Sequence, residues 1–590
     1  LTHISARIDF TDPHDSAAPR LRHAFGAPRA VLVAHELHEV RAVLDAVQAA
    51  AGQGRWCIGY VRYEAAPAFD TALAAHPADG PLAWFAVHDA PLPLPWPEGD
   101  NAAAARVEWR DTCPRPAFDA AVAHIQQAIA AGELYQVNLT APHLGGWAGE
   151  PEAGAAPALF AALQRAQPGG YAAFIDTGDE QLLSVSPELF FDWQNGSILA
   201  RPMKGTAARG ATPEADAAQA DALRASPKER AENVMIVDLL RNDISRIAQP
   251  FSVRVPRLFH TEGLPSVWQM TSDVQATTRA GTTLADVFGA LFPCGSVTGA
   301  PKVRAMQMIR ALEAGPRGVY CGAIGVVRPA EPGQGIRATF NVPIRTVIVR
   351  GDGLRCGIGS GITSSALPDA EWQEWRDKRK FLERASQSFD LLETLALENG
   401  QLRHAAAHLA RMAGAAAHFG YLWNAAIVQR CLDALAQAHP QGLWRVRLLL
   451  NARGQAHAEA FAMDSSPARV RLQLAASPLI DAQSEFVRFK TTRRAHYNAF
   501  TPTVPDVFDT VLWNEQREIT ECTRGNLAML MDDRWVTPPL ACGLLPGVGR
   551  ALALQAGQMV ESVVRLDDLP CVKAWAFVNS LRGWLSAELA

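Results

Sequence analysis

Ser184-Val185-Ser186-Pro187-Glu188-Leu189-Phe190, followed by Arg201-Pro202-Met203-Lys204-Gly205-Thr206, sets two short apolar segments within reach of each other. Residues 181–193 and 198–202 read as strands joined by a hairpin at Asn195-Gly196, a dipeptide that tolerates positive φ. The pairing brings a carboxyl, Glu188, and an amine, Lys204, onto neighbouring segments. Lys204 is one of seven lysines, against 48 arginines, in the chain. Arginine serves wherever only positive charge is needed, so a lysine here is a candidate for what arginine cannot do. Desolvated, it loses its proton and attacks an electrophile. An isolated lysine reads as a surface or carboxylate-pairing residue; beside Glu188 it reads as the nucleophile of an acid/nucleophile pair.

At 590 residues the chain exceeds one hydrophobic core, and length alone predicts about two to four domains. A hydrophobic fraction of 48% with 19% charged residues describes a globular chain with ample core. The formal charge of −5, with no basic stripe, argues against a nucleic-acid partner. No run of about 18 apolar residues occurs, so no membrane partner is expected. The opening fifteen residues carry acids and no apolar stretch, so no secretory leader is expected there. Nine cysteines without a CxxC pair suit reduced thiols in a cytoplasmic protein rather than a disulfide frame or zinc site.

Further out, residues 30–33, 56–61 and 84–87 read as short strands, and 117–131 as a helix closed by Gly132. Residues 135–140 alternate as a strand. Helices are expected over 227–247, 284–291, 302–314 and 369–385, with 318–327, 336–349 and 354–362 as buried strands of one sheet. Past a split near residue 387, a second unit opens with a strand at 391–397, a turn at Asn399-Gly400 and an Ala-rich helix over 405–419. Strands follow at 444–450, 470–474, 510–513 and 527–531, and a helix starts at 548 behind Leu545-Pro546-Gly547. The expected fold class is α+β in two domains, 1–385 and 386–590.

Two glutamate pairs carry a second signal. Glu229 and Glu232 are three apart on one helix face, and Glu371 and Glu374 repeat the spacing on a later helix. Either pair alone reads as a solvated helix face. Jointly they can hold a hard cation such as Mg²⁺, which takes carboxylate oxygens and keeps positions open for substrate. Arg345, in Asn341-Val342-Pro343-Ile344-Arg345-Thr346, is suited to grip a carboxylate bidentately. The glycines of Cys356-Gly357-Ile358-Gly359-Ser360-Gly361 permit close backbone approach to an anionic ligand.

Together these residues resemble the chorismate-utilising enzymes, which include anthranilate, aminodeoxychorismate, isochorismate and salicylate synthases. The likeness covers about residues 115–380 and rests on 135–140, 186–191, 201–206, 230–247, 293–302 and 357–362. It implies an anthranilate synthase component I-like β-sandwich with surrounding helices, and chorismate as substrate. It implies Glu188 as the general acid toward the departing C4 hydroxyl. Glu232 and Glu374 become the Mg²⁺ ligands, with Glu229 and Glu371 in support. Arg345, Tyr320 and the backbone at Gly361 become the grip on the substrate carboxylates. Gln136 stands where water-adding relatives have a lysine base, and a neutral amide cannot serve as that base. Lys204 stands where anthranilate-forming relatives have a small residue. In aminodeoxychorismate-forming relatives such a lysine adds at ring C2, before ammonia enters at C4 and expels it. Gln269 replaces a histidine common in the family, so no titrating group is expected there.

In the second unit, Lys490 ends an apolar segment, Glu521 follows in Glu518-Ile519-Thr520-Glu521, and Leu545-Pro546-Gly547-Val548-Gly549-Arg550 opens a helix. A lysine, an acid for a pyridinium nitrogen and free helix N–H groups for a phosphate are what pyridoxal phosphate requires. With His408-Leu409-Ala410-Arg411 and Asn579-Ser580-Leu581-Arg582, they resemble the class IV pyridoxal-phosphate enzymes over about residues 388–590. The resemblance implies a two-subdomain α+β aminotransferase-like fold, with Lys490 as Schiff-base lysine and proton shuttle. It makes Glu521 the pyridine-nitrogen partner, and Arg411 with the Val548–Gly549 backbone the phosphate clamp. Gly549 stands where relatives have a threonine, which removes one hydroxyl from that clamp.

Class IV holds both amino-acid transaminases and aminodeoxychorismate lyase, and the motifs of this unit do not separate them. The fusion implies the lyase, because the first unit's product is the lyase's substrate. The expected whole is a bifunctional route to 4-aminobenzoate for folate. The alternatives are a synthase fused to a transaminase, or to a non-catalytic class IV-like module. Neither unit shows a glutaminase nucleophile motif, so ammonia is expected from a separate glutamine amidotransferase subunit. The C-terminal unit is a candidate homodimer interface.

Overall fold

Pro187 ends a strand. In the computed structural model, which describes residues 4–15, 17–93, 106–151, 154–208, 213–263, 267–330, 333–502 and 504–590, the segment expected as one strand over 181–193 is two. They are Gln181–Ser186 and Leu189–Gln194, and they lie in different sheets. Proline has no N–H to give the ladder, so pairing stops and the chain crosses between sheets. The segment 336–349 breaks in the same way around Pro343, into Arg337–Asn341 and Thr346–Arg350. The expected single sheet over 318–362 is therefore two, with Ala323–Arg328 and Arg337–Asn341 in one and Thr346–Arg350 and Gly353–Ile362 in the other.

The two crossings are bonded to each other. The Val342 N–H donates to the Glu188 carbonyl (3.1 Å) and the Val185 N–H to the Arg345 carbonyl (3.0 Å). Ser186 Oγ donates to the Val342 carbonyl (2.5 Å). Arg345 takes φ +51°, the left-handed region that a side chain adopts only when its surroundings impose it.

Among the described residues, the first unit, Leu1–Ser388, packs a nine-stranded sheet on a ten-stranded one, with every pairing antiparallel. Ile8, Phe10 and Leu182 from one sheet meet Ile58, Tyr60 and Leu189 from the other in the inner core. Each such side chain contributes about 1.5–3 kcal/mol by leaving water. Helices Val40–Gly52, Pro227–Ser245 and Leu284–Leu291 cover the outer face of the ten-stranded sheet. Arg115–Ala130, Ala155–Ala166, Lys302–Leu312 and Pro368–Ser386 cover the other. This is the sandwich with surrounding helices expected from the sequence.

The strand expected over 135–140 extends as Gln136–Trp147, through Pro142 and two glycines. It pairs with Gly353–Ile362 along its length. On its other edge, Gly299–Ala300 pairs near Gln136 and Val107–Asp111 pairs from His143 onward. Pro142 falls between those two partners, where a ladder N–H is not needed.

The second unit, Phe389–Ala590, joins a four-stranded antiparallel sheet backed by helices Ala405–Phe419 and Ala425–Ala438 to an eight-stranded mixed sheet. The first of those helices has the bounds expected, closed by Gly420 at φ +68°. The Leu392 N–H donates to the Lys490 carbonyl (3.0 Å), which seats Lys490 where the two sheets of this unit meet. All nine cysteines are free thiols. No helix among the described residues is long and apolar enough to cross a membrane.

Candidate active sites

Lys204 reaches the first site from a bulge. Strand Met203–Ala208 pairs with Val267–Thr277, and the register slips by one residue between Met203 and Thr206, so that Lys204 and Gly205 together oppose Met270. Gly205, at φ +89°, takes a conformation that side chains rarely adopt, and a Cβ there would press on Glu229 Oε2 at 2.8 Å. Gly361 is the other close approach. A Cβ on it would meet Gln136 Nε2 at 2.2 Å and Lys204 Nζ at 2.8 Å. The lysine amine and the glutamine amide therefore converge on the bare backbone of Gly361.

Gln136 is fully buried, and neither its Oε1 nor its Nε2 has a hydrogen-bond partner among the described residues. Each unsatisfied buried group costs about 1–3 kcal/mol, so a polar ligand at this amide would relieve it. Glu188 faces the same space. Burial pushes its carboxyl up to about 7, against the lowering by a Ser296 hydrogen bond and the Lys204 charge. Ser296 Oγ donates to Glu188 Oε1 (2.6 Å).

Helices Pro227–Ser245 and Pro368–Ser386, each begun by a proline, bring the four glutamates to the same region. Burial raises Glu229, Glu232 and Glu371, and repulsion from Glu374 adds to each. Burial acts on Glu374 as well, but Lys378, 2.6 Å away, holds it below the ordinary carboxylate value. Ser360 Oγ donates to Glu371 Oε2 (2.6 Å). Among the described residues no three potential ligands form a ready metal centre. The donor set nonetheless fits Mg²⁺: hard oxygens on two helices, with three of the four carboxyls kept from ionising easily by burial and then by one another's charge. Lys204, Lys228 and Lys378, three of the chain's seven lysines, supply the compensating charge.

Arg345 has no carboxylate partner among the described residues. Its Nη1 donates to Gln167 Oε1 (3.2 Å), its guanidinium lies 5.1 Å from the Phe381 ring centre, and burial pushes its pKa down. A half-buried guanidinium so placed is free to take a ligand's carboxylate. The Tyr320 ring lies on Gly357, where a Cβ would come within 2.3 Å. Gly357 and Gly361 alternate onto one face of strand Gly353–Ile362, so Tyr320 and Lys204 address that face. Burial raises the Tyr320 phenol well above its usual range. Gln269 pairs with Thr206, one pleat beyond the Lys204 bulge.

The second site is a cavity of about 550 Å³ lined by Arg411, Lys490, Tyr497, Glu521, Val548 and Ser580 among others. Burial lowers Lys490 to about 8, helped by the Arg494 and Arg411 charges and opposed by Glu393 and Glu521. Burial lifts Glu521 to about 7. Tyr497 Oη donates to one of its oxygens (2.6 Å) and the Leu545 N–H to the other (3.1 Å). Burial acts to raise Glu393, but Arg411 and His408 hold it at about 2. Arg411 grips Glu393 through Nε (2.8 Å) and Nη2 (2.6 Å) and donates from Nη1 to the Pro546 carbonyl (3.0 Å). Two guanidinium hydrogens remain for an anion at the start of helix Val548–Gln555.

Gly549 sits behind that helix start. A Cβ there would lie 2.5 Å from the Asn579 carbonyl carbon and 2.8 Å from the Ser580 nitrogen. A threonine at 549 is thus incompatible with this chain's 579–580 backbone, and Ser580 stands on the same wall with the hydroxyl that position lacks. Gly549→Thr is expected to cost about 1–3 kcal/mol of the second unit's stability, read by thermal or denaturant unfolding. An unchanged midpoint would show that the 579–580 loop yields freely.

The geometry fits pyridoxal phosphate: an amine near neutrality, an acid raised by burial, and a helix start beside an arginine. Sequence reading missed Ser296, Lys378, Glu393, Tyr497 and Ser580. Only Lys378, four residues after Glu374 in a chain so poor in lysine, carried a local signal.

Residues 94–384 match the chorismate binding enzyme family, and residues 390–589 match the class IV amino-transferases. Aminodeoxychorismate synthase component 1 of Klebsiella aerogenes is 38% identical over 315 residues, 52% of this chain and 68% of that protein. Its namesake in Salmonella typhimurium is 37% identical over 306 residues, 52% of this chain and 64% of that protein. The crystal structure of anthranilate synthase component I from Streptococcus pneumoniae TIGR4 aligns with a TM-score of 0.51 at 24% identity. That alignment covers 65% of this chain and 91% of that one, a likeness of fold.

Proposed function

Because the chain belongs to the chorismate binding enzymes and carries a class IV amino-transferase unit, we propose that it makes 4-aminobenzoate from chorismate in two steps, one in each unit. The first would be amination to 4-amino-4-deoxychorismate, and the second elimination of pyruvate with aromatisation of the ring. The observation that carries the first step is the meeting of Lys204 Nζ and the Gln136 amide at Gly361, with Glu188 facing them.

Glu188 protonates the C4 hydroxyl as it leaves, while the Lys204 amine forms a bond to ring C2. Ammonia then bonds to C4, and the C2–lysine bond breaks to return Lys204. Gln136 donates or accepts hydrogen bonds but cannot take a proton from water, which disfavours hydration at C2. Arg345 and the Gly361 backbone hold carboxylates. Glu232 and Glu374, supported by Glu229 and Glu371, would hold Mg²⁺, which supplies charge neutralisation for an anionic substrate.

Bound in the second unit, pyridoxal phosphate supplies an electron sink. Arg411, the N–H groups at Val548 and Gly549, and Ser580 would hold its phosphate, and Glu521 would serve its pyridine nitrogen. Lys490, poised at about 8, moves the proton from substrate C4. Ammonia would come from a separate amidotransferase subunit, in keeping with relatives named component 1. The nine free thiols suit a cytoplasmic location, and the second unit is the surface proposed for pairing two copies.

The test is a product assay with chorismate, Mg²⁺, pyridoxal phosphate and ammonia. Equimolar 4-aminobenzoate and pyruvate are expected. Aminodeoxychorismate accumulating without pyruvate would remove the lyase step and leave the synthase. The pH dependence follows from Glu188. A general acid acts when protonated, so amination at constant free ammonia should fall as pH rises through about 7. Glu188→Gln should lower the rate by about a hundredfold and flatten that limb. A limb that persists in this variant belongs to another group.

A further inference from the structure

The segment 293–302 has no role in the steps above, yet Ser296 within it makes the one side-chain hydrogen bond seen to the Glu188 carboxyl among the described residues. The hydroxyl donates to Oε1 at 2.6 Å, and both residues are buried. Behind it, Cys294 Sγ lies 3.2 Å from the same hydroxyl oxygen. Burial pushes the Cys294 thiol up to about 12, with the Glu188 charge acting in the same direction. With the Ser296 hydrogen given to Glu188, the thiol that keeps its own is the donor in this contact. A serine hydroxyl has one hydrogen to give. With its oxygen receiving from Cys294, that hydrogen is committed to Glu188 Oε1.

We propose that Ser296, oriented by Cys294, is a positioning residue that fixes the Glu188 carboxyl, keeping Oε1 as an acceptor so that Oε2 carries the proton delivered to substrate. The proposal rests on the reading of Glu188 as the acid. Lys204 and Lys378 are the charges facing this carboxyl, the Met203 N–H bonds to it, and the Cys294 and Cys321 thiols lie near it. Both lysines and both hydrogen bonds favour the ionised form. Removing the serine hydroxyl removes one of those bonds, so protonation becomes easier.

Ser296→Ala is expected to move the alkaline limb of amination upward by about one pH unit, the worth of one charge-assisted hydrogen bond. Below the limb, kcat should fall several-fold with KM for chorismate little changed, because the proton is no longer confined to one oxygen. Ser296→Thr, which keeps the hydroxyl, should restore both. Cys294→Ala should give a smaller shift in the same direction and serves if Ser296→Ala does not fold. Infrared difference spectra provide a readout independent of turnover. The protonated-carboxyl band that Glu188→Gln abolishes should titrate about one unit higher in Ser296→Ala.

A limb and a band at wild-type positions in Ser296→Ala would overturn the proposal, as would a lower kcat that Ser296→Thr fails to restore. If Glu188→Gln keeps full activity while the band still moves in Ser296→Ala, the acid assignment falls and the hold of Ser296 on Glu188 stands.

Discussion

Lys204→Ala is expected to reduce amination of chorismate by about a thousandfold or more while leaving chorismate binding within a few-fold. The substitution removes the atom proposed to bond to ring C2 but not the carboxylate grip proposed at Arg345 and the Gly361 backbone. Lys204→Arg should be equally inactive, since a guanidinium does not give up its proton and is too broad for the contact at Gly361. Stopped-time product analysis and chorismate binding, measured on the same preparations, separate the two effects. Wild-type turnover by Lys204→Ala would end the nucleophile assignment and leave Lys204 as charge compensation for the four glutamates. The bulge accepts alanine, so a folding defect is not expected to obscure the result.

Lys490→Ala is expected to abolish pyruvate release, by about a thousandfold or more, with amination in the first unit unaffected. Aminodeoxychorismate should then accumulate. Borohydride trapping of wild-type protein with pyridoxal phosphate should add the cofactor's mass to the peptide containing Lys490, and the variant should show no such adduct. If pyruvate release persists, the second unit is not its source. If the adduct forms but neither wild type nor variant releases pyruvate, a transaminase assignment gains. The two lysines thus divide the reaction cleanly, because each variant should stall at a different product.

Much of this was legible in the sequence where signals are local. Helix 405–419 has apolar periodicity and a closing glycine, and it forms with those bounds. The Asn195-Gly196 hairpin formed because both residues accept positive φ. What failed was the assignment of strands to sheets. Alternation over 181–193 and 336–349 is continuous in polarity, but pairing depends on partners distant in sequence, and a proline in each segment marked the change of sheet. The candidate residues of the first unit that carry chemistry were visible because they sit in long motifs. Ser296 and Glu393 were not, because a serine in a Gly-rich turn and a glutamate in a strand look ordinary until their partners fold onto them. Lysine scarcity was informative, since three of the seven surround one site.

The paired crossings between sheets divide the first site into a rigid part and an exchangeable one. Glu188 and Arg345 lie where the backbone is committed on both sides, through Val342, Val185 and Ser186. Shifting either would unfasten both sheets at once. Lys204 sits in a ladder irregularity and Gln136 at the first residue of its strand, so their side chains can be replaced without altering any crossing. On the proposed roles, leaving-group chemistry is built into the architecture, while the choice of attacking group is left to two side chains. A scaffold with these proposed roles could change its product by substitution at two positions, with both crossings left in place.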